Sequence, residues 1–165
     1  MSKHTNQKRD SFLSSIPTAS IENKNDTITT KCKFNFAYMD FGQEAGQRFS
    51  DWGKKNLEEL FEKLHHYSKD SLKYWETKRL GSGSNTVLEI YGTFPTNKSD
   101  FKFPRNIPHQ AMWGRFRLEG RARLIGFVIP QEYDKKLHKN TQTFFDCNTF
   151  YVVFLDANHR FYKTS

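Results

Sequence analysis

From Thr30 the chain alternates. Cys32, Phe34, Phe36 and Tyr38 fall on one face of an extended segment, and Lys31, Lys33, Asn35 and Ala37 on the other. A period of two over this length predicts a half-buried strand running from Thr30 to Phe41. The period then lengthens. Beyond Phe49-Ser50-Asp51-Trp52, the residues Leu57, Leu60, Phe61 and Leu64 recur at helical spacing against a wet face of Lys54, Lys55, Glu58, Glu59, Glu62 and Lys63. That pattern predicts an amphipathic helix with Ser50 or Asp51 as its N-cap. A second helical stretch, from about Lys69 to Lys78, turns Leu72 and Trp75 inward. The two stretches are expected to form an antiparallel helical hairpin, with Trp52 and Trp75 as core between helices and sheet.

Gly81-Ser82-Gly83-Ser84-Asn85 breaks the helical pattern. It lacks the Gly-Lys-Ser/Thr of a phosphate loop and the strand-before, helix-after context of a dinucleotide fingerprint, so it reads as a flexible connection. Thr86 to Phe94 is a further short strand, and Pro95 to Pro108 a loop carrying Phe101 and Phe103. Trp113 to Ile129 reads as two strands joined by a tight turn at Glu119-Gly120, and Thr149 to Leu155 as a continuous apolar strand. Helices grouped beside strands predict an α+β fold: an N-terminal strand, a helical hairpin, then a mostly antiparallel sheet with the helices on one face. Met1 to about Thr27 is polar and aperiodic, apart from Phe12-Leu13 and Ile16-Pro17, which could dock on a partner. Residues 1–27 are therefore expected to be a flexible polar tail and residues 28–165 a single α+β domain.

Charge adds direction. The chain of 165 residues carries a formal charge of +8 and 16 Phe, so its core is built around rings. The excess is localised: from Lys98 onward there are 12 Lys and Arg against 6 Asp and Glu, whereas residues 28–97 carry 10 against 9. A basic field in the same third as the hairpin favours polyanions, nucleic acid above all, although an acidic protein would also satisfy it. Two cysteines, Cys32 and Cys147, provide neither a disulfide framework nor zinc spacing. Free thiols are expected, with a buried contact between the two as the alternative. A polar N-terminus without an apolar leader region, and no stretch approaching a membrane span, predict a cytoplasmic protein.

The hairpin holds Arg115, Arg117, Arg121 and Arg123. A two-residue loop at Glu119-Gly120 would pair Leu118 with Arg121 and Phe116 with Arg123, leaving Arg115 and Arg117 on the opposite face from the other two. An odd-length, bulged loop would instead gather the arginines on one side. The plainer alternative to a phosphate surface is a solvated hairpin. His159 follows Asp156-Ala157-Asn158, good turn chemistry, so it stands either at a catalytic position or merely at the tip of a turn before Arg160 to Lys163. His109 reads as a loop-exit residue. Adjacent His65 and His66 face different directions on a helix and do not suggest a metal site. Glu89 and Glu132 are possible carboxylate bases by position alone.

Three pieces carry a family resemblance: Trp113-Gly114-Arg115-Phe116-Arg117-Leu118, Arg123-Leu124-Ile125, and Asn158-His159-Arg160-Phe161-Tyr162. With the element order, they resemble the RelE/ParE superfamily of bacterial toxins, nearest to its RelE/YoeB-like branch. The chain departs from the family at Gly126, where an aromatic is usual, and no family glutamate falls on a motif. The resemblance implies a metal-independent endoribonuclease toxin without a cofactor. In it the RNA 2′-hydroxyl attacks the adjacent phosphate, Arg123 stabilises the transition state, and His159 acts as acid or base. Arg115, Arg117, Arg121 and Arg160 would hold the RNA backbone and Tyr162 would stack on a base. The implied partners are RNA, with ribosome-bound message as one form of it, and an acidic antitoxin. The alternatives are a non-enzymatic basic module binding nucleic acid or protein, and a ParE-like gyrase inhibitor.

Overall fold

The computed structural model describes residues 6–16, 21–22, 24 and 27–163. Its elements are α1 (Gln7–Ser15), β1 (Lys33–Asn35), α2 (Lys54–Tyr67), α3 (Leu72–Thr77), β2 (Leu88–Gly92), β3 (Met112–Arg117), β4 (Arg123–Val128) and β5 (Thr149–Asp156). The strands form one sheet in the order β1-β5-β4-β3-β2. β1 runs parallel to β5 and the remaining pairs are antiparallel. The architecture is α+β with a mostly antiparallel sheet.

The sheet is buried on both faces, which is why β5 reads as an unbroken apolar run instead of an alternation. One face carries Leu88, Phe116, Leu124, Phe150, Val152 and Leu155, packed in a single cluster with Leu60, Leu64 and Tyr67 of α2 and Leu72 and Trp75 of α3. The other carries Trp113, Ile125, Phe127 and Phe154, covered by Phe101, Ile107 and Ala111 of the long loop and by Phe161 near the C-terminus. Each such side chain contributes about 1.5–3 kcal/mol through burial. Trp113 stacks on Phe154 at 5.9 Å and on Phe161 at 5.7 Å, tying the C-terminal segment to the sheet.

Several elements differ from the pattern-based expectation. The first strand spans three residues, not Thr30 to Phe41. A turn in which the Met39 N–H donates to the Phe36 carbonyl takes the chain off the sheet edge. Phe36 is consequently exposed and Tyr38 packs on Phe127 and Tyr151, on the opposite face from Phe34. The helix N-cap is Gly53, not Ser50 or Asp51. Phe49–Asp51 form a separate 3-10 turn closed by the Asp51 carboxylate on the Arg48 N–H. The buried stripe of α2 is Leu60, Leu64 and Tyr67, while Phe61, one step further round the helix, is 64% exposed. α3 has six residues, shorter than Lys69 to Lys78, and β2 is shorter than Thr86 to Phe94. Arg160 to Lys163 form no strand. Cys32 and Cys147 are free thiols; the first is buried and donates to the Tyr67 carbonyl.

α1 buries none of its residues, and Phe12, Leu13 and Ile16 are exposed; Pro17 lies outside the described residues. Among the described residues no helix is long and apolar enough to cross a membrane.

Candidate functional site

The β3–β4 connection decides how the arginines are arranged. Arg117 faces Arg123 and Phe116 faces Leu124, while the Leu118 N–H donates to the Ala122 carbonyl. The loop is therefore the three residues Glu119-Gly120-Arg121, with Gly120 in the left-handed region at φ 57°. This odd-length register overturns the pairing of Phe116 with Arg123. Arg115, Arg117 and Arg123 now share one face, whereas Arg121 stands exposed at the loop tip. Glu89 of β2 lies opposite Arg115, so its carboxylate joins the same face.

Glu89 holds two of the arginines. Arg115 Nη2 and Nε lie 2.7 and 2.9 Å from Glu89 Oε2, and Arg117 Nη2 donates to Oε1. Burial pushes the Glu89 carboxyl up, but hydrogen bonds and charge from Arg117 and Arg115 outweigh it and hold it below the usual range. Arg115 also lies over the Tyr91 ring, 5.4 Å from its centroid, and its Nη1 is 2.5 Å from His159 Nε2. A guanidinium can only donate, so Nε2 accepts and the imidazole proton resides on Nδ1. Burial, then the charges of Arg115 and Arg123, push the His159 pKa down, so the ring is neutral at pH 7.

His159 reaches this position through a built turn. Asp156, 1% exposed at the end of β5, accepts from the backbone N–H groups of Asn158, Arg160 and Phe161. Those bonds hold His159 at φ 59°, a conformation that histidine tolerates better than most side chains. The turn aims the His159 ring at Arg115.

Arg123 is 7% exposed. Its Nη1 donates to the Gly120 and Ala122 carbonyls at 2.9 and 2.7 Å, while its Nε has no acceptor among the described residues. Burial and the neighbouring Arg115 and Arg117 lower its pKa, though a guanidinium remains charged. Arg121, Arg123, Asn158, His159 and Lys163 line one open recess of about 460 Å³. Its walls carry cationic and neutral donors, which suit an oxyanion such as phosphate, although Lys163 is ion-paired to Asp100.

The other residues expected from the sequence are placed elsewhere. Arg160 Nε is bound to Asp100 Oδ2 at 2.9 Å, and Lys163 shares that carboxylate. Tyr162 stacks on Tyr91 at 4.6 Å, with Lys98 over its ring. Glu132, His65, His66 and His109 are exposed and line no part of the recess. Among the described residues no three His, Cys, Asp or Glu side chains gather as a metal-ligand set. From the sequence, Asp156 and Asn158 had a place only as turn chemistry before His159, and Lys163 had no assigned role. Glu89 had a usable signal: in Leu88-Glu89-Ile90-Tyr91 the alternation assigns Glu89 and Tyr91 to the face away from the helices.

No family model, curated protein or solved structure matches this chain.

Proposed function

We propose that this protein binds RNA through the recess at the ends of β4 and β5 and cleaves it as a metal-independent endoribonuclease of the toxin kind. The observation that carries the reading is the convergence of Arg121 and Arg123 with a neutral imidazole on one recess, beside Lys163, which Asp100 holds. In the proposed reaction His159 accepts the 2′-hydroxyl proton and the 2′-oxygen attacks the adjacent phosphorus. The bond to the 5′-oxygen breaks, leaving a 2′,3′-cyclic phosphate and a 5′-oxygen that takes its proton from water. Arg123 stabilises the added negative charge, since a fixed cation in a partly dry site costs no reorganisation when charge develops. A phosphate seated beside Arg115 competes for its Nη1 and releases His159 Nε2. An acidic partner protein covering this basic face would act as the neutralising antitoxin.

The second reading is binding without turnover. It is favoured by the Arg115 contact that occupies the imidazole lone pair. Incubation of the purified protein with single-stranded RNA in chelator separates the two. Cleavage leaving cyclic phosphate ends is expected. It should fall by about 10²–10⁴-fold in His159→Asn while RNA affinity stays within a few-fold. Because the base must be unprotonated, cleavage should be lost as pH falls through the depressed His159 pKa and level off above about 6.5. Salt-sensitive binding with intact RNA selects the binding module. Growth arrest on expression with intact RNA points to a target other than RNA.

A further inference from the structure

The segment that follows His159 is pinned from two directions. Phe161 is fully buried, with its ring 5.4 Å from Phe94 and 5.7 Å from Trp113. The Arg160 and Phe161 N–H groups donate to Asp156 Oδ2 at 2.7 and 2.8 Å. On the other side lies the loop between β2 and β3. There the Asp100 N–H donates to the Arg160 carbonyl at 3.1 Å, and the Lys163 N–H to the Lys98 carbonyl at 2.8 Å. A buried ring and these backbone hydrogen bonds place residues 160–163 without any contribution from the Asp100 carboxylate.

That carboxylate nonetheless sits between two cations. Arg160 Nε donates to Oδ2 at 2.9 Å, and Lys163 Nζ donates to Oδ1. Hydrogen bonds from Lys163 and then Arg160 hold the Asp100 carboxyl below the usual carboxylate range, so it is ionised at neutral pH. All three side chains remain open to water, at 29% for Asp100, 43% for Arg160 and 52% for Lys163. Ion pairs this exposed add little to stability. Their larger effect is to cancel charge where an anion would arrive, because Lys163 also lines the cationic recess with Arg121, Arg123 and His159. Two carboxylate oxygens held by an arginine and a lysine match the two free oxygens of a phosphodiester.

We propose that Asp100 stands in for a phosphate. Arg160 and Lys163 form a second phosphate subsite, closed by this carboxylate in the free protein and opened when the phosphate next along a bound RNA strand displaces it. The inference rests on the phosphate reading of the cationic recess, and Lys163 is the cation the two subsites share. Displacement requires only that the Asp100 side chain turn into water, since its backbone stays paired with Arg160. Asp100 is thus a brake on affinity for the strand.

The test uses the full chain and a short 2′-O-methyl oligouridylate, a single strand whose blocked 2′-oxygen cannot attack its phosphate, with inorganic phosphate as the probe of the recess. Asp100→Asn keeps the shape and removes the charge, and it is expected to bind the oligonucleotide about three- to tenfold more tightly than the wild type. In an Arg160→Gln, Lys163→Gln background the same change is expected to alter affinity by less than about twofold, because no cation remains to be freed. A third readout needs no variant: the wild-type Arg160 Nε–H signal is expected to shift in ¹H–¹⁵N NMR as the oligonucleotide saturates the protein. Equal or weaker binding by Asp100→Asn, a gain that persists without Arg160 and Lys163, or an Arg160 signal that stays still at saturation overturns the second subsite and leaves the recess standing. No response of the wild type to either inorganic phosphate or the oligonucleotide overturns the phosphate reading itself.

Discussion

Glu89 shows how one side chain organises a charged surface. Without it Arg115, Arg117 and Arg123 would meet on one partly dry face with no counter-charge. With it two guanidiniums are gripped by one carboxylate, and Arg115 is left with a single nitrogen to offer His159. The ion pairs are mostly shielded from water, so removing one partner leaves uncompensated charge, which is costly, whereas an exposed pair would contribute little. Glu89→Gln keeps the shape and loses the charge. It is expected to lower stability by about 2–3 kcal/mol in urea unfolding. A loss below about 0.5 kcal/mol would show that Glu89 is not the counter-ion that holds the face together. The same logic explains Arg123: its charge survives burial because the Gly120 and Ala122 carbonyls accept from it. Arg160 and Lys163, both tied to Asp100, are less available to an incoming phosphate than their places near His159 suggest.

At the scale of elements, the β3–β4 hairpin and β5 work as one device. The three-residue loop sets which face the arginines occupy, and the turn after β5 brings His159 to them. The sheet between is tightly closed. Gly126 pairs with Gly114, and the register of β4 against β5 shifts between Ile125 and Gly126, so that Val153 is the extra residue of a bulge. That bulge puts Val153 and Phe154 in the same cluster, and the spare Val153 carbonyl is satisfied by the Asp40 N–H. A Cβ on Gly126 would lie 2.1 Å from the Tyr151 carbonyl oxygen and 2.7 Å from Phe150. The missing side chain thus lets β4 and β5 approach, and no flexible group is available to give way. Gly126→Ala is expected to cost more than about 3 kcal/mol or to prevent folding, read by thermal melting and near-UV circular dichroism. A variant melting within a degree or two of the parent would show that the strands part easily there.

For the molecule as a whole, charge and stability are separated along the chain. The core and the basic face belong to residues 28–163, while the described residues before Ile28 are all exposed. α1 therefore contributes no burial to the fold. Deletion of residues 1–27 is expected to leave the unfolding free energy within about 0.5 kcal/mol and the phosphate response intact. A larger loss would mean that this segment packs on the domain in solution. The basic excess after Lys98 is only partly free: Asp100 and Glu89 each hold two of its cations. In the hairpin, Arg121 and Arg123 are the arginines that no carboxylate holds among the described residues.

Local spacing alone determined the fold class. The stripe of Leu57, Leu60 and Leu64, the apolar run of β5 and the strands either side of Glu119-Gly120 specify helix and strand, because burial of one face imposes a period that is written residue by residue. Arg123 and His159 are brought forward by the short motifs that carry the family resemblance and not by spacing. Tertiary structure decided what no window of sequence contains. The early exit of the chain after Asn35 depends on β5 as its partner, and the choice of an odd loop depends on β4 fitting against both β3 and β5. Glu89 acquired its role only when β2 docked beside β3. These are contacts between residues distant in sequence, and their energies are set by register and packing, which a local pattern does not encode.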